Sequence, residues 1–121
     1  MSNNNGMQKN VIVEKSTEFA LEIISFTANL KKEKHFEISS QLFRSGTSIG
    51  ANINESQHAE SRKDFVHKLK IAAKEASETR YWLYLCTKSD SLISPKLDLL
   101  EQLETIEKLL SRIIATTKSR M

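Results

Sequence analysis

The stretch Ser61-Arg62-Lys63-Asp64-Phe65-Val66-His67-Lys68-Leu69-Lys70-Ile71-Ala72-Ala73-Lys74-Glu75-Ala76-Ser77-Glu78-Thr79-Arg80-Tyr81-Trp82-Leu83 decides the fold. Phe65, Leu69, Ala72, Ala76, Thr79 and Leu83 recur at spacings of four, three, four, three and four. That rhythm follows one face of a helix turning about 100° per residue. Ser61 followed three residues later by Asp64 resembles a capping box and marks the start. The spacing predicts a helix over 62–89.

The same period appears on either side. Ile12, Ser16, Phe19, Ile23, Phe26 and Leu30 form a stripe that Ala20, Ile24 and Thr27 widen, which predicts a helix over 11–33. The cations of Lys31-Lys32-Glu33-Lys34 suit its C-terminus. Ile38, Leu42, Gly46, Ile49 and Ile53 predict a helix over 37–58. Leu99, Leu103, Ile106, Leu110 and Ile113 predict one over 95–118, with Ser94 as N-cap and Pro95 in the first helical position. Residues 1–10 are expected to be a disordered leader, and 11–121 a single domain.

Composition agrees. The chain of 121 residues has room for one core. It contains three glycines and one proline, too few turn residues for an all-β domain. Four helices of roughly 33 Å with short connections fit an antiparallel up-down-up-down four-helix bundle. Gly46 and Gly50 each cost about 1 kcal/mol relative to alanine inside a helix. A neighbouring backbone must approach closely there, either within one subunit or across a subunit interface.

Charge and cysteine narrow the setting. Eighteen Lys and Arg against fifteen Asp and Glu leave a formal charge of +3. Residues 61–74 hold Arg62, Lys63, Lys68, Lys70 and Lys74 against Asp64 alone, so the third helix carries the basic footprint. The lone Cys86 has no intrachain disulfide partner and reads as a small core filler. No run approaches the ~18 apolar residues of a membrane span. A reducing cytoplasm and no membrane partner are the expectation.

Two features suggest partners. Lys63, His67, Lys70 and Lys74 lie within about 40° of one direction, opposite the core stripe. With Arg62 they could neutralise phosphates of RNA, and the line continues to Tyr81, a candidate stacking platform. An ordinary solvated lysine face is the plain alternative. Tyr81-Trp82-Leu83-Tyr84-Leu85-Cys86 covers every direction around the helix, more than a lone bundle can bury. Tyr81, Trp82, Tyr84 and Leu85 are therefore candidates for an oligomer interface, unless residues 1–12 or the 34–38 loop fold over them. Arg44, Ser48, Asn52 and Glu55 form a polar strip on the second helix, and Arg44 is placed with the interface candidates.

Catalysis finds little support. Glu55-Ser56-Gln57-His58 and Asp64-Phe65-Val66-His67 have the spacing that di-metal bundles use. Both lie beside the turn between helices two and three, and their histidines diverge, so no metal site is expected. No phosphate loop, nucleophile elbow or Cys/His pair occurs. No catalytic residues or cofactors are assigned, and the chain is not expected to be an enzyme. A protein-binding adaptor using the aromatic end of the third helix, without nucleic acid, is the second reading.

The run Gln41-Leu42-Phe43-Arg44-Ser45-Gly46-Thr47-Ser48-Ile49-Gly50-Ala51-Asn52-Ile53, followed by Glu55 and Gln57, resembles the signature of a bacterial four-helix-bundle family. These are also called the 23S rRNA intervening-sequence, or S23, proteins. The likeness continues through Asp64-Phe65, Lys68-Leu69, Ile71-Ala72, Lys74-Glu75-Ala76, Glu78-Thr79 and Tyr81-Trp82-Leu83. Val13-Glu14-Lys15-Ser16 and Phe19-Ala20 also look typical, while Asn54 departs from the usual pattern. The resemblance implies a homopentameric ring of four-helix bundles that engages RNA or a nucleic-acid enzyme. A similar bundle is the accessory protein of diversity-generating retroelements.

Overall fold

The computed structural model describes the backbone of residues 3–121 and the side chains of residues 11–121. The described residues form four α-helices and no strand. They are α1 (Asn3–Lys32), α2 (Phe36–Ser56), α3 (Arg62–Lys88) and α4 (Leu97–Ser119). α2 packs against α1 and α3, and α4 packs against α3 and α1. The side chains of the expected leader, 1–10, lie outside the described residues.

The predicted stripes meet along the centre. Phe19, Ile23 and Leu30 of α1 are fully buried beside Leu42, Ile49 and Ile53 of α2. Leu69, Leu83 and Cys86 of α3 join Leu103, Ile106 and Leu110 of α4 in the same cluster. Each such Leu or Ile contributes about 1.5–3 kcal/mol by leaving water. Ile24, expected to widen the α1 stripe, is instead 43% exposed. Phe26 and Phe65 are half-buried and pack against the core from its margin.

Gly46 and Gly50 bring α2 against α1 of the same chain. A Cβ at Gly46 would lie 2.8 Å from Ile23 Cγ2, and one at Gly50 would lie 3.5 Å from the Ser16 backbone oxygen. Hydroxyl groups serve this contact and the one between α2 and α3. Ser39 Oγ donates to the Thr27 carbonyl of α1 at 2.8 Å, and Thr79 Oγ1 of α3 donates to Ser45 Oγ of α2 at 2.9 Å. Small side chains thus let the helices approach, and buried hydroxyls find partners there.

The helix ends show where local chemistry decides. Ser61 caps α3 as expected, accepting from Asp64 N at 3.0 Å, while Asp64 Oδ2 accepts from Glu60 N. α1 ends in a Schellman turn: His35 N donates to Leu30 O, Lys34 N donates to Lys31 O, and Lys34 has φ 68°. A lysine occupies the left-handed position that usually goes to glycine, so composition gave no warning of it. α2 ends at Ser56, two residues before the expected boundary.

The start of α4 corrects the sequence expectation. Ser94 is not its N-cap, and Pro95 is not its first residue. Proline drives the residue before it toward extended backbone, and 93–96 carry no helical structure. Lys96, at φ −69° and ψ 151°, is the N-cap and offers no side-chain cap bond. Its carbonyl accepts from Leu99 N at 3.0 Å.

Candidate functional site

The outer face of α3 carries the candidate cations. Lys63, His67, Lys70 and Lys74 are all exposed, pointing away from the buried stripe. None of them makes an ion pair among the described residues. Lys68, one step around the helix, reaches α2 instead and pairs with Glu55 at 3.1 Å. The helical period therefore separates structural from free lysines.

Arg62, at the first position of α3, points to a different neighbour. Its Nη1 donates to the backbone carbonyl of Arg120 at 2.6 Å, at the C-terminal end of α4. A cation there satisfies a carbonyl that the helix leaves unpaired and meets the negative end of its dipole. The contact brings Arg120, with Lys118 nearby in the last turn of α4, to the basic start of α3. Sequence reading kept these cations apart because 58 positions separate them. The placement of Lys118 and Arg120 at the C-terminal end of α4 was the available signal.

The aromatic run sorts by direction. Leu83 and Cys86 are fully buried, and Trp82 and Leu85 are half-buried. Tyr81 and Tyr84 remain 55% and 54% exposed. The rings of Tyr81 and Trp82 meet at 5.4 Å with a 56° tilt. Lys88 Nζ lies 5.7 Å from the Tyr84 ring centroid, within range of a cation–π attraction.

Arg44 bridges α2 to α3. Its guanidinium pairs with Glu75 at 3.2 Å and with Glu78. Trp82 Nε1 donates to Glu78 Oε2 at 3.2 Å. The bond from Arg44, then that from Trp82, holds the Glu78 carboxyl below the usual carboxylate range. The pairing with Glu75 and Glu78 is within the chain and ties α2 to α3. Asn52 is half-buried and donates to the Ser48 carbonyl at 2.8 Å.

One surface has no counterpart in the sequence reading. Ile24, Phe36 and Phe43 stand exposed along a groove of about 450 Å³ between α1 and α2. Ile24 and Phe43 lie just beyond their helices' buried stripes, and Phe36 opens α2. Periodicity alone assigned none of them to a surface.

Among the described residues, no group of three or more His, Cys, Asp and Glu could hold a metal ion. His58 and His67 are both exposed. No helix among the described residues is long and apolar enough to cross a membrane.

The molecule is thus an all-α protein whose exposed chemistry is a line of cations ending in tyrosines. Over residues 8–112 its sequence matches the family described as 23S rRNA-intervening sequence protein, and the chain belongs to that family. It is similar to a protein of unknown function from the S23 ribosomal protein family of Bacteroides thetaiotaomicron. The two share 43% sequence identity and a TM-score of 0.81, covering 88% of this chain and 97% of the other. None of the curated proteins matches the chain.

Proposed function

We propose that this protein is a non-enzymatic, cytoplasmic scaffold: an antiparallel up-down-up-down four-helix bundle that assembles as a homo-oligomer and contacts RNA or a nucleic-acid enzyme. The observation that carries this reading is the outer face of α3. Among the described residues Lys63, His67, Lys70 and Lys74 make no ion pair there, and the same line runs to the exposed Tyr81. Arg62 and Arg120 extend the positive region around one end. Unpaired cations release counterions on meeting phosphates, and an exposed tyrosine offers a base a ring to stack on.

The antiparallel arrangement is supported by the run of contacts. On α2, Arg44 pairs with Glu75 and Glu78, whereas Glu55, further along, pairs with the earlier Lys68. Between α3 and α4, Arg80 pairs with Glu107 while Arg62 reaches Arg120. The pentameric number comes from the family resemblance. Self-association is supported by exposed Tyr81 and Tyr84 and by the apolar groove between α1 and α2.

Light scattering on the purified chain tests the assembly, and filter binding of structured RNA across a salt series tests the contact. The expected result is an oligomer whose RNA affinity falls steeply with salt. Lys63→Ala, Lys70→Ala and Lys74→Ala together should flatten that slope. Affinity indifferent to salt and to the triple variant defeats the nucleic-acid reading. A protein-binding adaptor is favoured instead by Tyr81 and Tyr84. Capture of a protein partner that survives loss of the lysines but not of these tyrosines would select it.

A further inference from the structure

The direction that carries Lys63, His67, Lys70 and Lys74 does not stop at Tyr81. Lys63 and Tyr81 stand about five turns apart, about 27 Å along α3, and so share one direction. About two turns further on, Lys88 returns to within about 20° of that direction, and Tyr84 flanks it at about 60°. Lys88 is exposed and makes no ion pair among the described residues. Its Nζ lies 5.7 Å from the centre of the exposed Tyr84 ring. The row therefore reads cations, two open rings and a cation again, over about 38 Å.

The flanks of the row are already matched. α3 holds three carboxylates, Asp64, Glu75 and Glu78. Asp64 accepts from Glu60 N at the helix start, and Arg44 engages the other two. None is left to repel a polyanion. The neighbouring cations are committed too: Lys68 pairs with Glu55 of α2, and Arg80 with Glu107 of α4. At the start of α3, Arg62 and Arg120 broaden the positive region. Beyond that end, the unpaired cations of α3 run in single file among the described residues.

We infer that this row holds an unpaired RNA strand laid lengthwise along α3. Its phosphates lie on Lys63, Lys70, Lys74 and Lys88, and its bases stack on Tyr81 and Tyr84. Two observations select an unpaired strand over a duplex. A duplex is gripped across a groove, through the backbones of both strands, which calls for cations in two lines. The broad face of a paired base is also covered by its neighbours in the stack, so an exposed tyrosine meets only a base that has been freed. In a folded RNA such a strand is a loop, a bulge or an end. Lys88 takes the phosphate beyond the stacked bases, leaving the Tyr84 ring as a base replaces it. The inference rests on the nucleic-acid contact proposed above, names the form of RNA, and adds Tyr84 and Lys88 to that contact. It leaves the groove between α1 and α2 for self-association.

Fluorescence anisotropy on the full chain tests it, with circular dichroism confirming that each variant folds. The probes are a labelled, unstructured RNA of about twelve nucleotides, the same strand annealed to its complement, and an abasic strand of equal length. Each is titrated across a salt series. The unpaired strand should bind at least tenfold tighter than the duplex at equal salt. Its affinity should fall with salt at a log–log slope of about 3, as expected for four single-strand phosphate contacts. The abasic strand should keep that slope but lose at least about fivefold in affinity, because stacking is gone. Lys88→Ala should reduce the slope by about 0.7, as should Lys74→Ala. Lys108→Ala, which removes a cation paired with Glu104 on α4, should not. A duplex or an abasic strand bound as tightly as the intact strand overturns the inference, and so does a slope unmoved by Lys88→Ala. If the slope still falls when Lys63, Lys70 and Lys74 are replaced by alanine, the broader nucleic-acid reading stands without it. RNA that does not bind, or binds indifferently to salt and to those three lysines, overturns both.

Discussion

Replacing Gly46 and Gly50 by alanine, one at a time, separates two glycines that look equivalent in sequence. Alanine improves helix propensity by about 1 kcal/mol at either position. At Gly50 the new Cβ would meet Ser16 at 3.5–3.6 Å, ordinary contact, so most of that gain remains. At Gly46 it would lie 2.8 and 2.9 Å from the two γ carbons of Ile23 and 3.3 Å from its Cβ. Carbon atoms prefer roughly 3.5–4.0 Å. Ile23 is fully buried, and both crowding carbons hang from one branched Cβ. Rotation that frees one presses the other, so α1 and α2 must part. Overpacking of this kind costs about 1–3 kcal/mol.

The expected outcome is opposite signs. Gly50→Ala should be stabilised by up to about 1 kcal/mol relative to wild type, and Gly46→Ala destabilised by about 1 kcal/mol net. Urea unfolding followed by circular dichroism at one fixed protein concentration reads this directly. With a slope of roughly 2 kcal/mol per molar, the two midpoints separate by about 1 M. Ile23→Ala supplies the control: in that background, the methyl at position 46 has room and should become favourable. A Gly46→Ala variant at least as stable as wild type refutes the packing argument, as does strict additivity with Ile23→Ala.

Three further predictions concern a helix end, a charge pair and the thiol. Lys34 holds a left-handed conformation that costs a non-glycine residue about 1–2 kcal/mol. Lys34→Gly should therefore raise the urea midpoint, and a lowered midpoint would show that the Schellman turn is unstrained. The Glu78 carboxyl is depressed by Arg44 and Trp82, so its contribution to stability is present above the ordinary carboxylate value and lost as pH falls below that value through the lowered one. In Arg44→Ala the loss of stability on acidification should be shallower, and an identical pH profile would count against the pairing. Burial pushes the Cys86 thiol up to about 11 from an ordinary value near 9. The folded state favours the protonated thiol, so this contribution is complete below the unfolded value and fades as pH rises toward 11. A thiol reagent at pH 8 should modify the native chain far more slowly than the denatured chain, and equal rates would place Cys86 at the surface.

Much of the fold was legible because the stripes are strict. Leu69, Ala72, Ala76, Thr79 and Leu83 were named from spacing alone and are fully buried. Ser61 was legible because capping is local chemistry. Ser94 and Pro95 misled because a good cap and a good first residue do not oblige a helix to start. The chain between α3 and α4 was free to stay extended for two more residues. Lys34 could not be read, since the turn overrides the residue's own preference. The cations of α3 were legible from one helix's period, and the structure leaves them exposed. Arg120 beside Arg62, and the groove between Ile24, Phe36 and Phe43, depend on which helices become neighbours, and no single helix's pattern contains that.

The near-contact between position 46 and Ile23 has an evolutionary corollary. Any single-base missense change in a glycine codon introduces at least one extra carbon. Position 46 therefore has no gentle neighbours in mutational space, and a lineage can leave glycine there only after α1 has first given way. Position 50, with a few tenths of an ångström to spare, is free to drift to alanine unaided.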